Sequence, residues 1–166
     1  MAYVDNADVT RIYPSTQDLF KPGDKTILGD AEFIFIKYND GDGTVTGAAG
    51  GLVYTVGTAT TGQTAYEATM DVNSATIVAI PQAPLGVLQA ALTDGAYGWA
   101  QFKGLGLQDI TTDGSVAAGE RLMPHASTDG GFDTHSAGAV ADVGVALAAD
   151  ASTTLAAGSY ILQIPL

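Results

Sequence analysis

Cysteine is absent from this chain. Its absence excludes disulfide bonds and thiolate metal sites, two devices that stabilise many small domains. The fold must therefore rest on a hydrophobic core, and 166 residues suffice for one domain that buries about 70% of its unfolded surface. The lack of cysteine does not by itself decide between an intracellular and an extracellular protein.

Charged side chains are scarce and unequal in sign. They make up 14% of the residues, against about 25% in average proteins, and 18 acidic residues outnumber 6 basic ones to give a net charge of −12. Such a charge repels nucleic acid and anionic lipid, so we expect neither as a partner. With so few charges to cover the molecule, we expect a partner protein to cover some of its apolar surface.

The basic residues are concentrated in the N-terminal part of the chain. Four of the six are Arg11, Lys21, Lys25 and Lys37, and none follows Arg121. This asymmetry predicts that the N-terminal part faces an acidic partner. The alternative is that these are ordinary solvated charges, which contribute little to stability.

Long apolar runs are missing as well. Gly, Asp, Thr or Gln interrupts every hydrophobic stretch before it reaches the length of a membrane-spanning helix. Residues 1–8 lack the basic and apolar regions of a secretory signal. We therefore expect a soluble cytoplasmic protein that has no membrane partner.

The residues that are abundant favour β-structure. The 21 glycines, together with many alanines, threonines and valines, favour turns and strands over long exposed helices. We predict an all-β fold: a small antiparallel β-barrel or sandwich-like domain over 31–166, with an extended N-terminal arm over 1–30. A division of the domain into two small β lobes, 31–84 and 85–166, stays open. The predicted strands are residues 31–38, 52–56, 64–70, 76–81, 86–92, 96–103, 116–122, 143–147 and 160–166.

Three segments allow a more detailed prediction. Residues 31–38 are apolar and β-branched at successive positions, which indicates a strand buried on both faces. Asp94 and Gly95 tolerate the positive φ angles of a tight turn, so they predict a hairpin between the strands on either side. The alanines of residues 139–149 would also suit a helix, but Gly144 and the valines favour a strand.

Motifs that bind ions or phosphate are incomplete. Residues 40–43, Asp-Gly-Asp-Gly, are similar to the middle of a calcium loop, but that register places Tyr38 and Ala49 where carboxylates are needed. These residues therefore predict a turn. The glycine-rich residues 47–51 and 104–107 lack the lysine and hydroxyl residue of a phosphate loop. We predict no cofactor.

The two histidines lie in one glycine-rich turn region. His125 and His135, with Asp129 and Asp133 between them, have the chemistry of a metal site, and Ser127 would add a nucleophile. A catalytic triad needs a rigid scaffold, and the residues around Ser127 do not form a nucleophile elbow. We therefore predict loop histidines, no metal ligand and no catalytic residue.

An aromatic cluster follows the predicted hairpin turn. Strand alternation puts Tyr97, Trp99 and Gln101 on one face and Phe102 on the other. Aromatic residues near a hairpin tip can anchor a protein interface or stack on a sugar ring, and core packing is the alternative. We predict Tyr97, Trp99 and Gln101 as an oligomer or ligand face.

Four segments of the second half stand out together by their order and spacing. They are AYGWAQFKG at 96–104, VAAGERL at 116–122, VGVAL at 143–147 and YILQI at 160–164. In this order they resemble the small β-domain of tailed-phage head decoration proteins, also called capsid cement proteins, over about residues 85–166. In the first half, residues 33–38 resemble the opening strand of related phage structural proteins.

The resemblance implies a non-enzymatic protein of the virion exterior. It would bind the major capsid protein of an assembled head, often as a homotrimer, and strengthen the shell against the pressure of the packaged DNA. The contact residues of the family vary, so we predict them from this sequence. The predicted capsid-contact residues of the N-terminal arm are Arg11, Tyr13, Phe20, Lys21 and Lys25.

A second function stays open at this stage. The chain would instead be a receptor- or carbohydrate-binding module of a phage tail or surface structure. In that case Tyr97 and Trp99 would provide the ligand face.

Overall fold

The computed structural model describes residues 2–14, 19–40, 43, 45–58, 62–72, 78–135 and 142–166. These residues form strands and no helix, which confirms the all-β prediction, and they accordingly contain no helix able to cross a membrane. The strands are β1 (Lys25–Leu28), β2 (Ala31–Tyr38), β3 (Leu52–Thr58), β4 (Gly62–Thr69), β5 (Val78–Leu88), β6 (Tyr97–Leu105), β7 (Ile110–Thr111), β8 (Arg121–Pro124), β9 (Phe132–Thr134), β10 (Gly144–Ala146), β11 (Thr154–Leu155) and β12 (Tyr160–Gln163).

Five of these strands close into a barrel. The strand order β2-β4-β3-β5-β6 returns to its start because β6 also pairs with β2. The barrel pairs are antiparallel except β2 with β4, where Lys37 lies opposite Glu67 and Tyr38 opposite Ala68 in parallel register. The barrel prediction therefore holds, with one departure from the antiparallel arrangement. The departure arises because β4 lies between β2 and β3 in the sheet, where it pairs antiparallel with β3 and parallel with β2.

The second half of the chain extends this sheet. From the end of β6 the order continues through β12, β10, β8 and β9, while β7 and β11 form a separate two-stranded sheet. The start of β6 pairs with β2 and its end, Lys103–Leu105, pairs with β12. One hydrophobic cluster runs from Ile34 and Phe102 in the barrel to Leu122 and Leu162 in the extension. Strand β6 and this shared core connect the barrel to its extension.

Strand β2 is buried on both faces, as predicted. Ile34 and Ile36 belong to the cluster shared by the barrel and its extension, whereas Phe33 and Phe35 belong to a second cluster on the outer face. All four side chains are fully buried. The near-continuous apolar sequence of this strand follows from having a core on either side.

The N-terminal residues cover that outer face. Val9 and Tyr13 are buried in the second cluster, and Val4, Ala7 and Phe20 pack against it. Backbone bridges hold the segment at two points, Tyr3 with Lys25 and Tyr13 with Tyr97. The described residues of the predicted arm contain no regular strand before β1, which lies within the arm, and they lie along the sheet and do not project away from it.

The remaining local predictions have mixed outcomes. Strands β5 and β6 are antiparallel neighbours, and Gly95 has a φ of 71° in the turn that precedes β6. The hairpin prediction is therefore confirmed, although β5 ends at Leu88 and the connection is longer than a tight turn. The segment 139–149 contributes strand β10, as favoured. Residues 136–141, 76–77, 41–42 and 44 lie outside the described residues, so the predictions that fall on them are not assessed.

Candidate interaction surfaces

The predicted capsid-contact residues divide into exposed and buried groups. Arg11 and Lys21 are exposed, while Lys25 is half-buried with its Nζ 4.6 Å from the centre of the Phe102 ring. Tyr13 is only 3% exposed, and Phe20 is half-buried against the same cluster. Tyr13 therefore belongs to the core and not to a contact surface, because its ring fills the space between the N-terminal segment and the sheet.

Two of the three predicted face residues are also buried. Trp99 is 1% exposed and Gln101 is fully buried, while Tyr97 is half-buried and stacks on Phe35 at 5.9 Å between ring centres. The predicted alternation is correct, since Phe102 belongs to the other cluster. The face itself is covered by the N-terminal segment. Trp99 and Gln101 therefore do not form the exposed face that the sequence suggested.

Gln101 has a structural role at the point where β6 changes partner. Its Nε2 donates to the carbonyl oxygens of Lys103 at 3.2 Å and Leu105 at 2.7 Å, and its Oε1 accepts from the Leu107 amide at 3.1 Å. A buried amide that is satisfied at three points fixes the local backbone. It holds the end of β6 in the position where β12 pairs with it.

The exposed residues of the N-terminal segment include cations and large apolar side chains, together with the carboxylates of Asp5 and Asp8. Tyr3, Ile12 and Leu19 are more than half exposed, and Arg11 and Lys21 are exposed on the same segment. The Arg11 guanidinium lies 5.2 Å from the centre of the Tyr13 ring, which places the charge above a buried anchor. We refer to these five residues as the N-terminal surface. Only Arg11 and Lys21 of this set were predicted as contact residues.

A second surface lies on the extended part of the sheet. Leu105, Ile161 and Val145 are neighbours in register across β6, β12 and β10, and Arg121 of β8 continues the row. Their side chains point outward because each alternates with buried residues, as in the buried-exposed-buried-exposed pattern of Tyr160–Gln163. Leu105 is 43% exposed, Ile161 41% and Val145 37%. We call this row with Lys103 and Gln163 the exposed sheet face.

A groove crosses the exposed sheet face over β8, β10 and β12. Its volume is about 580 Å³, and it is lined by Arg121, Asp142, Gly144, Val145, Ile161, Gln163, Ile164 and Pro165. This surface was not predicted from the sequence. Its signal there is an apolar residue at the outward position of a short alternating strand, as at Ile161, which lies within an apolar run.

Ion pairs border the exposed sheet face on both sides. Lys103 contacts Glu32 at 2.6 Å, and Arg121 contacts Asp142 at 2.9 Å. The other Asp142 oxygen lies 2.6 Å from Nδ1 of His135. Desolvation opposes ionisation of Asp142, but the hydrogen bonds from His135 and Arg121 hold its pKa below the ordinary value. The hydrogen bond to Glu32 raises the pKa of Lys103.

His125 connects two loops by polar contacts and does not offer a nitrogen lone pair to a metal ion. Its Nε2 lies 3.2 Å from an Asp113 oxygen, and Asp133 is near enough for the three ligand atoms to lie within 4.8 Å of one another. Its Nδ1, however, accepts from the backbone amides of Ser127 and Thr128. A neutral imidazole that accepts at Nδ1 carries its proton on Nε2, so no lone pair faces the two carboxylates.

The other members of the predicted histidine group have separate partners. His135 is bonded to Asp142, and Asp129 accepts from the Val72 amide at 2.9 Å. The structure therefore assigns each of these side chains a role in loop packing. It does not assemble a nucleophile, a base and an orienting acid from Ser127, the histidines and Asp129.

Comparisons of the chain with protein-family models, with curated proteins and with solved structures found no match.

Proposed function

We propose that this chain is a structural protein that binds the outer surface of an assembled phage head and stabilises the shell. It would act in the virion as a homo-oligomer, with three copies as the expected number, and without catalysis. The resemblance of residues 85–166 to head decoration proteins suggests this function. The structural observation that supports it best is the N-terminal surface, which places Arg11 and Lys21 beside exposed apolar groups on a chain of net charge −12.

The N-terminal surface is suited to an acidic partner because its cations are already positioned. Tyr13 is buried and bridged to Tyr97, so the backbone that carries Arg11 is fixed before binding. A contact that needs little ordering loses less conformational entropy on association. The exposed side chains of Ile12 and Leu19 lie close to these cations along the chain and add apolar area. Charge steers the encounter and the apolar groups stabilise the contact.

Binding of this kind would stabilise a head by mass action. A protein that binds the assembled shell and not its dissociated subunits shifts the equilibrium toward the shell. Many identical contacts repeated over a lattice add to this effect, since each bound copy contributes its own free energy. The proposal therefore needs no active site.

The carbohydrate-binding alternative has less support. It relied on Tyr97 and Trp99 as an exposed stacking platform, and Trp99 is 1% exposed beneath the N-terminal segment. Stacking on a sugar needs an accessible ring face. Tyr97 is half-buried and already stacked on Phe35.

The proposal is tested by sedimenting the purified chain with phage heads that lack their decoration protein. We expect saturable binding with hundreds of copies per head, and less binding as salt screens the contact. The variant Arg11→Gln with Lys21→Gln should bind at least tenfold more weakly. Its control is Ser115→Asp with Ala118→Asp, which changes the net charge equally at exposed turn positions and should bind normally. No binding, or only a few copies per head, would refute the proposal.

A further inference from the structure

The exposed sheet face is an apolar surface without a role in the proposed capsid contact. Leu105, Ile161 and Val145 lie side by side on three adjacent strands, each between about one third and one half exposed. Scattered apolar residues are common on protein surfaces, but a row in register on a sheet forms a continuous patch. A groove of about 580 Å³ adjoins this patch at Ile161 and Val145, so the surface is not flat.

The charges on this face balance, whereas the chain as a whole carries a net charge of −12. Strands β6, β12, β10 and β8 contain no aspartate or glutamate, although the whole chain has 18 acidic residues. Their charged residues are Lys103 and Arg121, and each is paired with one carboxylate from a neighbouring element, Glu32 or Asp142. The formal charges of these two pairs sum to zero. The face therefore has an apolar centre, and the ion pair on each side of it has no net charge.

We infer that the exposed sheet face is the surface through which one copy of this chain binds a second copy. Two molecules of net charge −12 repel each other, so they associate most easily where the local charge is zero. Contacts at surfaces that carry an excess of aspartate and glutamate would bring carboxylates together, which opposes association. An apolar centre with a polar border is also the usual composition of a protein interface.

The position of the face in the fold agrees with this assignment. The N-terminal surface belongs to the segment on the outer face of β2 and the start of β6, whereas the exposed sheet face begins at the end of β6. The surfaces adjoin where Tyr3 lies near Lys103, but Arg11 and Lys21 can bind the capsid while Leu105, Ile161 and Val145 bind a second copy. This inference rests on the proposed function only for the expectation that the protein self-associates, and it can be tested without heads.

The test is the molar mass of the free chain, measured by sedimentation equilibrium over a range of concentrations. We expect an oligomer, and Ile161→Glu should weaken its association about 100-fold or more because the contact would bury an unpaired charge. The matched control is Ile12→Glu, which makes the same change at an exposed position of the N-terminal surface and should leave the mass unchanged. Circular dichroism should show that both variants remain folded, because both positions are exposed.

Salt provides a second measurement. Association through a neutral apolar face should be unchanged or stronger at high salt, because the ions screen the repulsion between the two acidic molecules. Capsid binding through Arg11 and Lys21 should weaken under the same conditions. Association that weakens with salt would contradict the assignment of a neutral contact.

The possible failures can be told apart. A wild-type chain that stays monomeric, or an oligomer that survives Ile161→Glu, overturns the inference. A monomer that loses head binding through Ile161→Glu also overturns it, since the capsid would then occupy the face. An oligomer that dissociates through Ile161→Glu but does not bind heads supports the inference and refutes the proposed function.

Discussion

Two regions on the outer side of one sheet differ in whether another part of the chain covers them. Over β2 and the start of β6 the outward side chains are aromatic, and the N-terminal segment covers them. Over the end of β6 and the strands beyond it they are aliphatic and exposed. Strand β6 carries both, with Trp99 at 1% exposure and Leu105 at 43%. An outward apolar residue on this sheet can therefore be either core or surface, depending on whether another part of the chain crosses it.

The two regions also differ in how their side chains are organised. In the covered region, Phe35 lies 5.4 Å from Tyr13 and 5.0 Å from Trp99 between ring centres, and Phe20 lies 5.2 Å from Trp99. These edge-on and tilted contacts add to the free energy gained by burying the rings. The exposed row is aliphatic, and its residues are neighbours across strands. The covered region should therefore determine stability, and the exposed region should determine association.

The largest expected effect comes from removing the centre of the covered region. Trp99→Ala should lower the free energy of unfolding by about 3–5 kcal/mol, because it leaves a cavity between the sheet and the N-terminal segment. Leu105→Ala on the same strand is the matched control and should change it by less than about 0.5 kcal/mol. Urea unfolding followed by circular dichroism measures both. Equal losses for the two variants would mean that the regions do not differ as described.

A substitution in the N-terminal segment that covers Trp99 should lower the free energy of unfolding by a smaller amount. Tyr13→Ala removes the buried ring that anchors the N-terminal segment, and we expect a loss of about 3 kcal/mol with increased binding of a hydrophobic dye. The exposed neighbour Ile12→Ala is the control and should leave both quantities nearly unchanged. If Tyr13→Ala were as harmless as its control, the segment would not be part of the core.

Two buried tyrosine hydroxyls in the core differ in their hydrogen bonding. Tyr160 donates to the Gln108 carbonyl at 2.7 Å, whereas Tyr54 has a buried hydroxyl without a hydrogen-bond partner in the structure. Tyr160→Phe should lower the free energy of unfolding by about 1 kcal/mol, and Tyr54→Phe should leave it equal or raise it. Thermal unfolding monitored by calorimetry separates the two variants. A larger loss for Tyr54→Phe would show that its hydroxyl is satisfied in solution.

Alkaline pH tests the same tyrosines by another route. Burial raises the pKa of Tyr38 to about 12 and raises the pKa values of Tyr54 and Tyr160 as well. The unfolded chain loses these protons near pH 10 while the folded chain keeps them, so stability should fall as the pH rises above about 10. Denaturant unfolding at pH 9 and pH 11 measures the loss. Tyr54→Phe should reduce this pH dependence, and an unchanged slope would argue against its burial.

The smallest expected effect is on the exposed row. Ile161→Ala should lower the stability of the dissociated chain by only about 1 kcal/mol, because its side chain is partly exposed. Leu162→Ala, the next residue in the strand, is fully buried and should lower stability by about 2–5 kcal/mol. Unfolding measurements at low protein concentration would check this pair. A large effect at Ile161 would mean that the exposed sheet face contributes to the fold itself.

The sequence predicted elements whose signal is local. The bounds of β2 and its burial on both faces followed from eight consecutive residues, and the turn at Asp94 and Gly95 was predicted from their tolerance of positive φ, which only Gly95 adopts. Alternation separated Trp99 from Phe102 correctly. Each of these predictions depends on side chains that are close together along the chain.

Features that depend on distant residues were not predicted. The closure of β2 on β6 brings Phe35 opposite Trp99, and the parallel pairing of β2 with β4 brings Lys37 opposite Glu67. Alternation shows which residues share a face but not which strand lies beside them. For the same reason the sequence placed Tyr13, Trp99 and Gln101 on contact surfaces and did not find the row at Ile161.

Composition and pattern alone determined that this protein is all-β, has no disulfide bonds, is strongly acidic and carries its basic residues mainly near the N-terminus. Only the tertiary structure decided which apolar faces are core and which are surface. The physical reason is that burial depends on what lies over a side chain. Here the cover of Trp99 comes from residues near Tyr13, more than eighty positions earlier in the chain, whereas Ile161 on an adjoining strand is left exposed.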